Sequence, residues 1–386
     1  MEIDQLYQKQ SFFKNIQKFQ NQKLIKIMSI ISIFIFIIFI CLILIIFNLK
    51  SKLNKYISKD SLCGNNLEKV NNNIKINYNQ SDYILKTKYN NDIQFYKEIL
   101  QLYKENITEF KIRGRQKIMD INGKQYNESN ISTIQDKLNY LLIHEKPEYK
   151  SKIVDKILLH KYSKKILGKD ICVPILKIYN SSEEINLDEL PEKFVLKCNH
   201  GSAMNILCNN KSKLNLKFVK KKLDYWLKMN YGLRNFEYQY INIKRKIFAE
   251  KYLVDNINDY KFYCFNGVPK FVRVQKLLPD NSAKVNNYYN LDWTLNEIET
   301  GIDNHFVRRP DIIFDKPKHL DLMIKYAKKL SSKFVFVRVD FYEINDKVYL
   351  GEMTFSPSNM LFNNKDNNQS LYLGSLLDIS KLKKNI

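Results

Sequence analysis

Between Phe334 and Ser358 the chain reads FVFVRVDFYEINDKVYLGEMTFSPS, two runs of β-forming residues with charges placed where a sheet would otherwise be apolar. Alternation puts Phe334, Phe336, Arg338 and Asp340 on one face of the first arm and Val335, Val337, Val339 and Phe341 on the other. In the second arm Val348, Leu350, Glu352 and Thr354 share a face. The turn decides whether the two carboxylates meet. Three loop residues, Asn345 to Lys347, would pair Asp340 with Glu352 and Arg338 with Thr354, whereas a two-residue Asn345-Asp346 turn would send the carboxylates to opposite faces. The shared face is the expectation, because opposed carboxylates are costly without a cation between them. Hard oxygen ligands of this kind suit Mg2+ with phosphate completing the shell.

The length of 386 residues accommodates two or three domains, and the net charge is +23. That excess is spread along the chain and is almost all lysine, with eight arginines. A nucleic-acid footprint would be a localised stripe with interleaved arginine and aromatic residues, so nucleic acid is excluded as a partner. Anionic membrane surfaces or anionic polysaccharide fit the charge better. The six cysteines form no CxxC pair and no Cys/His ligand set, which leaves small buried hydrophobes as the expected role.

Ile27 to Phe47 is a run of twenty-one residues without a charge. As a helix it would span about 30 Å, the hydrocarbon thickness of a bilayer, and it is too long for a signal-peptide core. The expected organisation is a short tail over 1–26, a single transmembrane helix over 27–47, a polar stalk and accessory region over 48–126 with one helix around Asp92 to Phe110, and a compact domain over 127–386. Lysines flank the apolar run on both sides, so charge says little about orientation. The short tail leans toward a cytosolic amino terminus, with the domain in a lumen or periplasm.

Within the domain, Ser132 or Thr133 caps a helix running to His144, and a second helix is expected from Tyr149 to Leu167, ended by Gly168. A strand over Ile171 to Tyr179 follows. FVLKCNHGS then closes a strand on a glycine-containing turn in which backbone N–H groups at Gly201 and Ser202 can approach a phosphate. Lys197 inside that strand must be paired, functional, or snorkelling at an edge. A helix over Asn215 to Met229, a strand KIFAEKYLVD, and a hairpin from Asp259 to Val274 turning on Asn266-Gly267 come next. Lys261 and Arg273 sit near that hairpin's open end. A helix from Pro317 to Leu330 leads into Phe334. Alternating helices and strands of this kind indicate α+β or α/β layering.

The ordered set STIQDKLNYL, DKILLHKY, LPEKFVLKCNHGSAMNIL, FAEKYL, DYKFYCFNGVPKFV, NLDW and FVRVDFYEINDKVYLGEMTFSP resembles the ATP-grasp superfamily, and within it the TupA-like branch of bacterial polysaccharide and teichuronopeptide assembly. The resemblance spans about Asn127 to Pro357. It implies an α+β fold of two lobes with antiparallel sheets, and clamping of ATP and Mg2+ between them. It also implies phosphorylation of a carboxylate on a sugar polymer or peptide, followed by displacement of the phosphate by an amine.

Carried residue by residue, it implies that Asp340 and Glu352, with Thr354, hold metal and that Arg338 steadies the transferring phosphoryl group. Arg273 is assigned to the catalytic set. Lys197 would reach ATP phosphates, Gly201 and Ser202 would cover them, and Glu250, Lys251, Tyr252 and Leu253 would form the hinge for adenine and ribose. Asp259 and Lys261 would face nucleotide or substrate. Thr354 stands where asparagine is common, Ala203 and Ser358 where glycine is common, and His160 where arginine is usual. These departures keep open a catalytically weak glycan-binding scaffold, and pathway context keeps open a glycosyltransferase.

Overall fold

A computed structural model describes residues 97–121, 128–146, 148–254, 257–277, 284–298, 306–360 and 367–384. The apolar run Ile27 to Phe47 and most of the expected stalk lie outside the described residues. Among those described, no helix is long and apolar enough to cross a membrane.

In chain order the helices are α1 (Ile107–Ile121), α2 (Ile134–His144), α3 (Glu148–Val154), α4 (Leu159–Leu167), α5 (Leu216–Lys228), α6 (Tyr231–Asn235), α7 (Leu320–Ser331) and α8 (Asn367–Ser375). The strands are β1 (Ile175–Tyr179), β2 (Phe194–Cys198), β3 (Asn205–Cys208), β4 (Ile247–Lys251), β5 (Asp259–Phe265), β6 (Val268–Leu277), β7 (Lys284–Asn290), β8 (Leu295–Asn296), β9 (Phe306–Val307), β10 (Phe336–Ile344) and β11 (Lys347–Thr354). They form a four-stranded antiparallel sheet, β1-β4-β2-β3, and a larger sheet, β11-β10-β5-β6-β7-β8, to which β9 adds in parallel.

One face of the large sheet is apolar because Val337, Val339, Phe262, Cys264, Val272 and Val274 alternate inward and are buried together with Leu320, Met323, Ala327 and Leu330 of α7. Each such large side chain removed from water contributes about 1.5–3 kcal/mol, so this layer is what holds the strands in register. At one end of the other face, Tyr263, Phe265, Phe271, Tyr288 and Phe336 form a second core with Phe110 of α1 and Ile134, Leu138 and Leu141 of α2. Beyond those aromatic residues that face turns charged, and the site lies there. The small sheet packs Leu196, Ile247 and Ala249 onto Val219, Leu223 and Trp226 of α5.

Several sequence expectations hold. Thr133 caps α2 in a reciprocal capping box with Asp136. Asn215 caps α5 through the Phe218 N–H at 3.0 Å. Gly168 ends α4 at φ +78°. The β5–β6 hairpin turns on Asn266 and Gly267 at φ +49° and +79°. The four described cysteines, Cys172, Cys198, Cys208 and Cys264, are free and buried.

Others are corrected. The expected helix over Tyr149 to Leu167 is two helices, because Asp155 Oδ1 accepts from the Ile157 and Leu158 N–H groups at 2.9 and 3.2 Å and stops the first. The expected strand over Ile171 to Tyr179 starts only at Ile175. Ile171 to Pro174 instead bridge the sheets, Ile171 O accepting from Leu350 N at 2.8 Å and Pro174 O from Lys251 N at 2.9 Å. The boundary at residue 126 is also too late, since Phe110 and Arg115 of α1 are wholly buried in the body of the domain.

Candidate functional site

The β10–β11 hairpin places Arg338 opposite Thr354 and Asp340 opposite Glu352, the expected register, but by a different route. Its turn is the two-residue Asn345-Asp346, both at positive φ, with Ile344 pairing Lys347. The register then shifts between Asp340 and Phe341, because Phe341 faces Leu350 and Gly351 is the extra residue. A Cβ at Gly351 would come within 2.7 Å of the Tyr342 ring, so any larger residue in this bulge would have to push that ring aside. The bulge moves Glu352 and Thr354 onto the Asp340 face.

Pairing then extends the charge across the sheet. Asp340 opposes Lys261 and Lys261 opposes Arg273, so Glu352, Asp340, Lys261 and Arg273 form one cross-strand row. Arg338 donates from Nε to Asp340 Oδ1 at 2.7 Å and from Nη2 to Oδ2 at 2.6 Å, and Nη2 also reaches Glu352 Oε1 at 2.9 Å and Thr354 Oγ1 at 3.2 Å. Lys261 Nζ donates to Asp340 Oδ2 at 2.9 Å and to Asp259. Asp340 is fully buried. Burial alone would raise its pKa, but the Arg338 and Lys261 charges outweigh burial and hold the carboxyl well below the usual range. Lys261 is likewise held above its ordinary value, burial being overcome by Asp259 and Asp340. Burial leaves Asp259 raised despite Lys261.

From the small sheet, Lys197 Nζ donates to Glu250 Oε1 at 2.6 Å, so the lysine sits on an interior strand and is paired. Gly201 lies in the loop after β2, where a Cβ would press on Tyr231 and Met204 within 3.0 Å. Ser202 is exposed beside it. Ala203 takes φ +57° and Ser358 takes φ +52°, the left-handed conformation that explains the glycines common at both places. Of the hinge residues, Glu250 and Lys251 end β4, while Tyr252 and Leu253 follow it half-buried. Asp255 lies outside the described residues.

Lys156 was not singled out from sequence. The Asp155 break ejects it from the helical stripe, and its Nζ donates to Gly201 O at 2.6 Å while standing 3.9 Å from Glu352 Oε2. Burial lowers its pKa against the pull of Glu352, and Lys197 adds to the lowering, so the two lysines and two glutamates share one electrostatic neighbourhood. A carboxylate inside a helical pattern was the one available signal. Glu237 was also missed. Burial pushes it up to about 6 while Ser356 and Tyr231 hydrogen-bond to it, and it senses the Glu352 charge. No pattern in its segment announces it.

Arg273 is buried with its guanidinium 6.0 Å from the Tyr263 ring centroid, and its Nε has no hydrogen-bond partner. One row along, Asp259 pairs with Gln275 and Gln275 with Asn286. Asp259 Oδ1, Gln275 Nε2 and Asn286 Oδ1 all lack protein partners. Polar groups left so are expensive unless a ligand or water meets them.

The donors are all oxygens, the type a hard divalent cation takes, with Glu352 Oε2 open and both Asp340 oxygens held by Arg338 and Lys261. Glu352 Oε1 is taken by Arg338 and Thr354, but Oε2 is beyond hydrogen-bond distance from Lys156 and the side chain is partly exposed. Asp340 is directly opposite, with its charge balanced by Arg338 and Lys261.

The fold is thus α+β, with two mainly antiparallel sheets and this charged row on the larger one. The TupA-like ATP-grasp family model matches residues 136–378, and the chain belongs to that family. Among solved structures, it is similar to a D-alanine–D-alanine ligase from Bacillus anthracis, with 16% identity, 70% of this chain and 72% of that chain covered, and a TM-score of 0.32. The same enzyme complexed with ATP gives 14% identity, 67% and 78% coverage and 0.36. N5-carboxyaminoimidazole synthetase from Staphylococcus aureus complexed with ADP gives 17% identity, 54% and 46% coverage and 0.30. No curated protein sequence matches the chain.

Proposed function

We propose that this chain is an ATP- and Mg2+-dependent carboxylate–amine ligase that modifies a sugar polymer or peptide in glycoconjugate assembly, anchored to a membrane through Ile27 to Phe47. The observation that carries the enzymatic reading is the bulge-set register, which faces Asp340 and Glu352 across one strand pair and lines them with Arg338 and Lys261.

Asp340, Glu352 and Thr354 would hold Mg2+, which when bound neutralises phosphate oxygens. Lys156 and Lys197 bring positive charge from the small-sheet side to a triphosphate, and Arg338 brings it from the large sheet. An oxygen of the substrate carboxylate attacks the γ-phosphorus and ADP departs, giving an acyl phosphate. The amine attacks the carbonyl carbon, phosphate departs, and the nitrogen releases a proton as the amide forms. Positioning and charge neutralisation accomplish this without a side-chain nucleophile. Arg273, with the unpartnered atoms of Asp259, Gln275 and Asn286, supplies polar contacts for the acceptor beyond the phosphates.

The test is acyl-phosphate trapping. Full-length protein, ATP, Mg2+ and a carboxylate-bearing oligosaccharide or peptide, with hydroxylamine as the amine, should yield a hydroxamate and one ADP for each. ADP release without hydroxamate for any acidic acceptor would contradict ligase chemistry. The left-handed Ala203 and Ser358 motivate a second reading, a glycan-binding scaffold with slowed chemistry. Binding of acidic glycan that is indifferent to ATP, and unchanged by Glu352→Gln, would favour it.

A further inference from the structure

A second constellation lies outside the row just described. His160 occupies the first turn of α4, Asp170 follows the Gly168 turn, and Cys172 lies in the segment that links the two sheets. Gly168, at φ +78°, folds the chain back along its own helix, and Ser163 Oγ holds the returning segment by accepting from Ile171 N at 3.2 Å. Residues ten apart in sequence therefore meet. His160 Nδ1 and Asp170 Oδ2 are 2.7 Å apart, and Asp170 Oδ1 accepts from the Cys172 N–H at 3.0 Å. One ligand atom from each of His160, Asp170 and Cys172 lies within 4.8 Å of the other two.

We propose that His160, Asp170 and Cys172 form a transition-metal site, selective for Zn2+ over Mg2+, that fastens α4 to the link between the sheets. An imidazole, a thiolate and a carboxylate are the ligand types of zinc, and the thiolate disfavours the hard cations that the nucleotide-facing carboxylates suit. The geometry needs little adjustment. Bonds of about 2.0–2.3 Å to a tetrahedral ion put ligand atoms about 3.3–3.8 Å apart, so the His–Asp contact opens slightly and the sulfur closes by at most about 1 Å. Among the described residues no lysine or arginine pairs with Asp170, whose side chain is 38% exposed, and His160 is 19% exposed. The ion therefore has a solvent-side approach and no resident cation to displace. On binding, the Cys172 thiol proton passes to solvent, the imidazole uses its unprotonated nitrogen, and water takes the fourth position.

The location gives the site a consequence. Ile171 O receives an N–H from Leu350 of the large sheet, and Pro174 O receives one from Lys251 of the small sheet, so Cys172 sits in the bridge between them. A metal there would brace the bridge that sets Glu352 and Glu250 relative to each other.

The test is a Co2+ titration of metal-free full-length protein. One equivalent should produce a thiolate-to-cobalt charge-transfer band in the near ultraviolet with tetrahedral bands in the visible, and stoichiometric Zn2+, but not excess Mg2+, should bleach them. Cobalt at Asp340 and Glu352 has no sulfur ligand and gives no charge-transfer band, so the two sites are distinguishable. Cys172→Ser should lose the band. His160→Ala, a partly exposed position checked for folding by circular dichroism, should weaken Co2+ binding at least about tenfold, and it keeps the test valid if Cys172→Ser fails to fold. Absence of the band, its persistence in Cys172→Ser, or undiminished affinity in folded His160→Ala would each overturn the proposal.

Discussion

The two sheets contribute charge to the same site in different ways. On the large sheet, Arg338, Asp340 and Lys261 are buried on adjacent strands and neutralise one another through short hydrogen bonds. On the small sheet, Lys197 and Glu250 are a single partly exposed pair, and the carbonyl of Gly201 in its loop holds Lys156 from the link between α3 and α4. Strands fix charge to a register, and burial then makes every member depend on the others. The Lys197–Glu250 pair is isolated and partly exposed, so its charge depends on one partner and is open to a ligand. In the proposed ligase the large sheet would then supply a preformed floor and the small sheet the cover.

This contrast is tested most severely by removing one charge from each side. Asp340→Asn removes the carboxylate shared by two buried cations, leaving Arg338 only the carboxylate of Glu352 and Lys261 only that of Asp259, and should lower stability by about 3 kcal/mol in urea denaturation, with loss of ATP turnover. Lys197→Met should cost about 1 kcal/mol or less in stability while weakening ATP binding about tenfold. Equal stability losses would erase the distinction.

A smaller effect belongs to the cover. His200 is buried beside Trp226 O, and burial lowers its pKa to about 4. Its folded pKa lies below the unfolded value of about 6.5, so the folded state resists protonation. Stability is fully present above pH 6.5 and falls as pH drops toward 4, by about 3 kcal/mol in total. Urea melts across that window should show the decline, and His200→Asn should flatten it. The smallest effect concerns backbone strain. Ala203→Gly and Ser358→Gly relieve left-handed residues and should each change stability by about 1 kcal/mol or less. Ala203→Gly should also raise the rate of nucleotide turnover if the loop after β2 must close.

How much of this was legible in sequence differs between the same two regions. The Arg338/Asp340 face and the Asn266-Gly267 hairpin followed from alternation and turn chemistry, because a strand's period of two leaves little freedom. The pairing of Asp340 with Glu352 was expected for the wrong reason. A three-residue loop and a two-residue loop with a bulge at Gly351 bring the same residues together, and the chain takes the second, with Asn345 and Asp346 both at positive φ. Lys156 was illegible because helical periodicity continues through Asp155 in composition, while the Asp155 side chain ends the helix by capping the next N–H groups. Sequence patterning gives a helix only to about Phe110 and sets the segment of α1 in the accessory region, because the stretch around it is polar and weakly patterned. Its burial is decided by Phe110 and Arg115 meeting partners more than twenty residues away. Sequence patterns record local period, and these misses are all tertiary.

The most direct measurement is calorimetric titration of ATP into full-length protein with and without Mg2+, repeated with Glu352→Gln. Saturable binding that tightens with Mg2+ is expected in the wild type, and loss of that Mg2+ dependence in a variant whose melting temperature is unchanged within a few degrees. No ATP binding at any Mg2+ concentration, or Mg2+ dependence retained in Glu352→Gln, would contradict it.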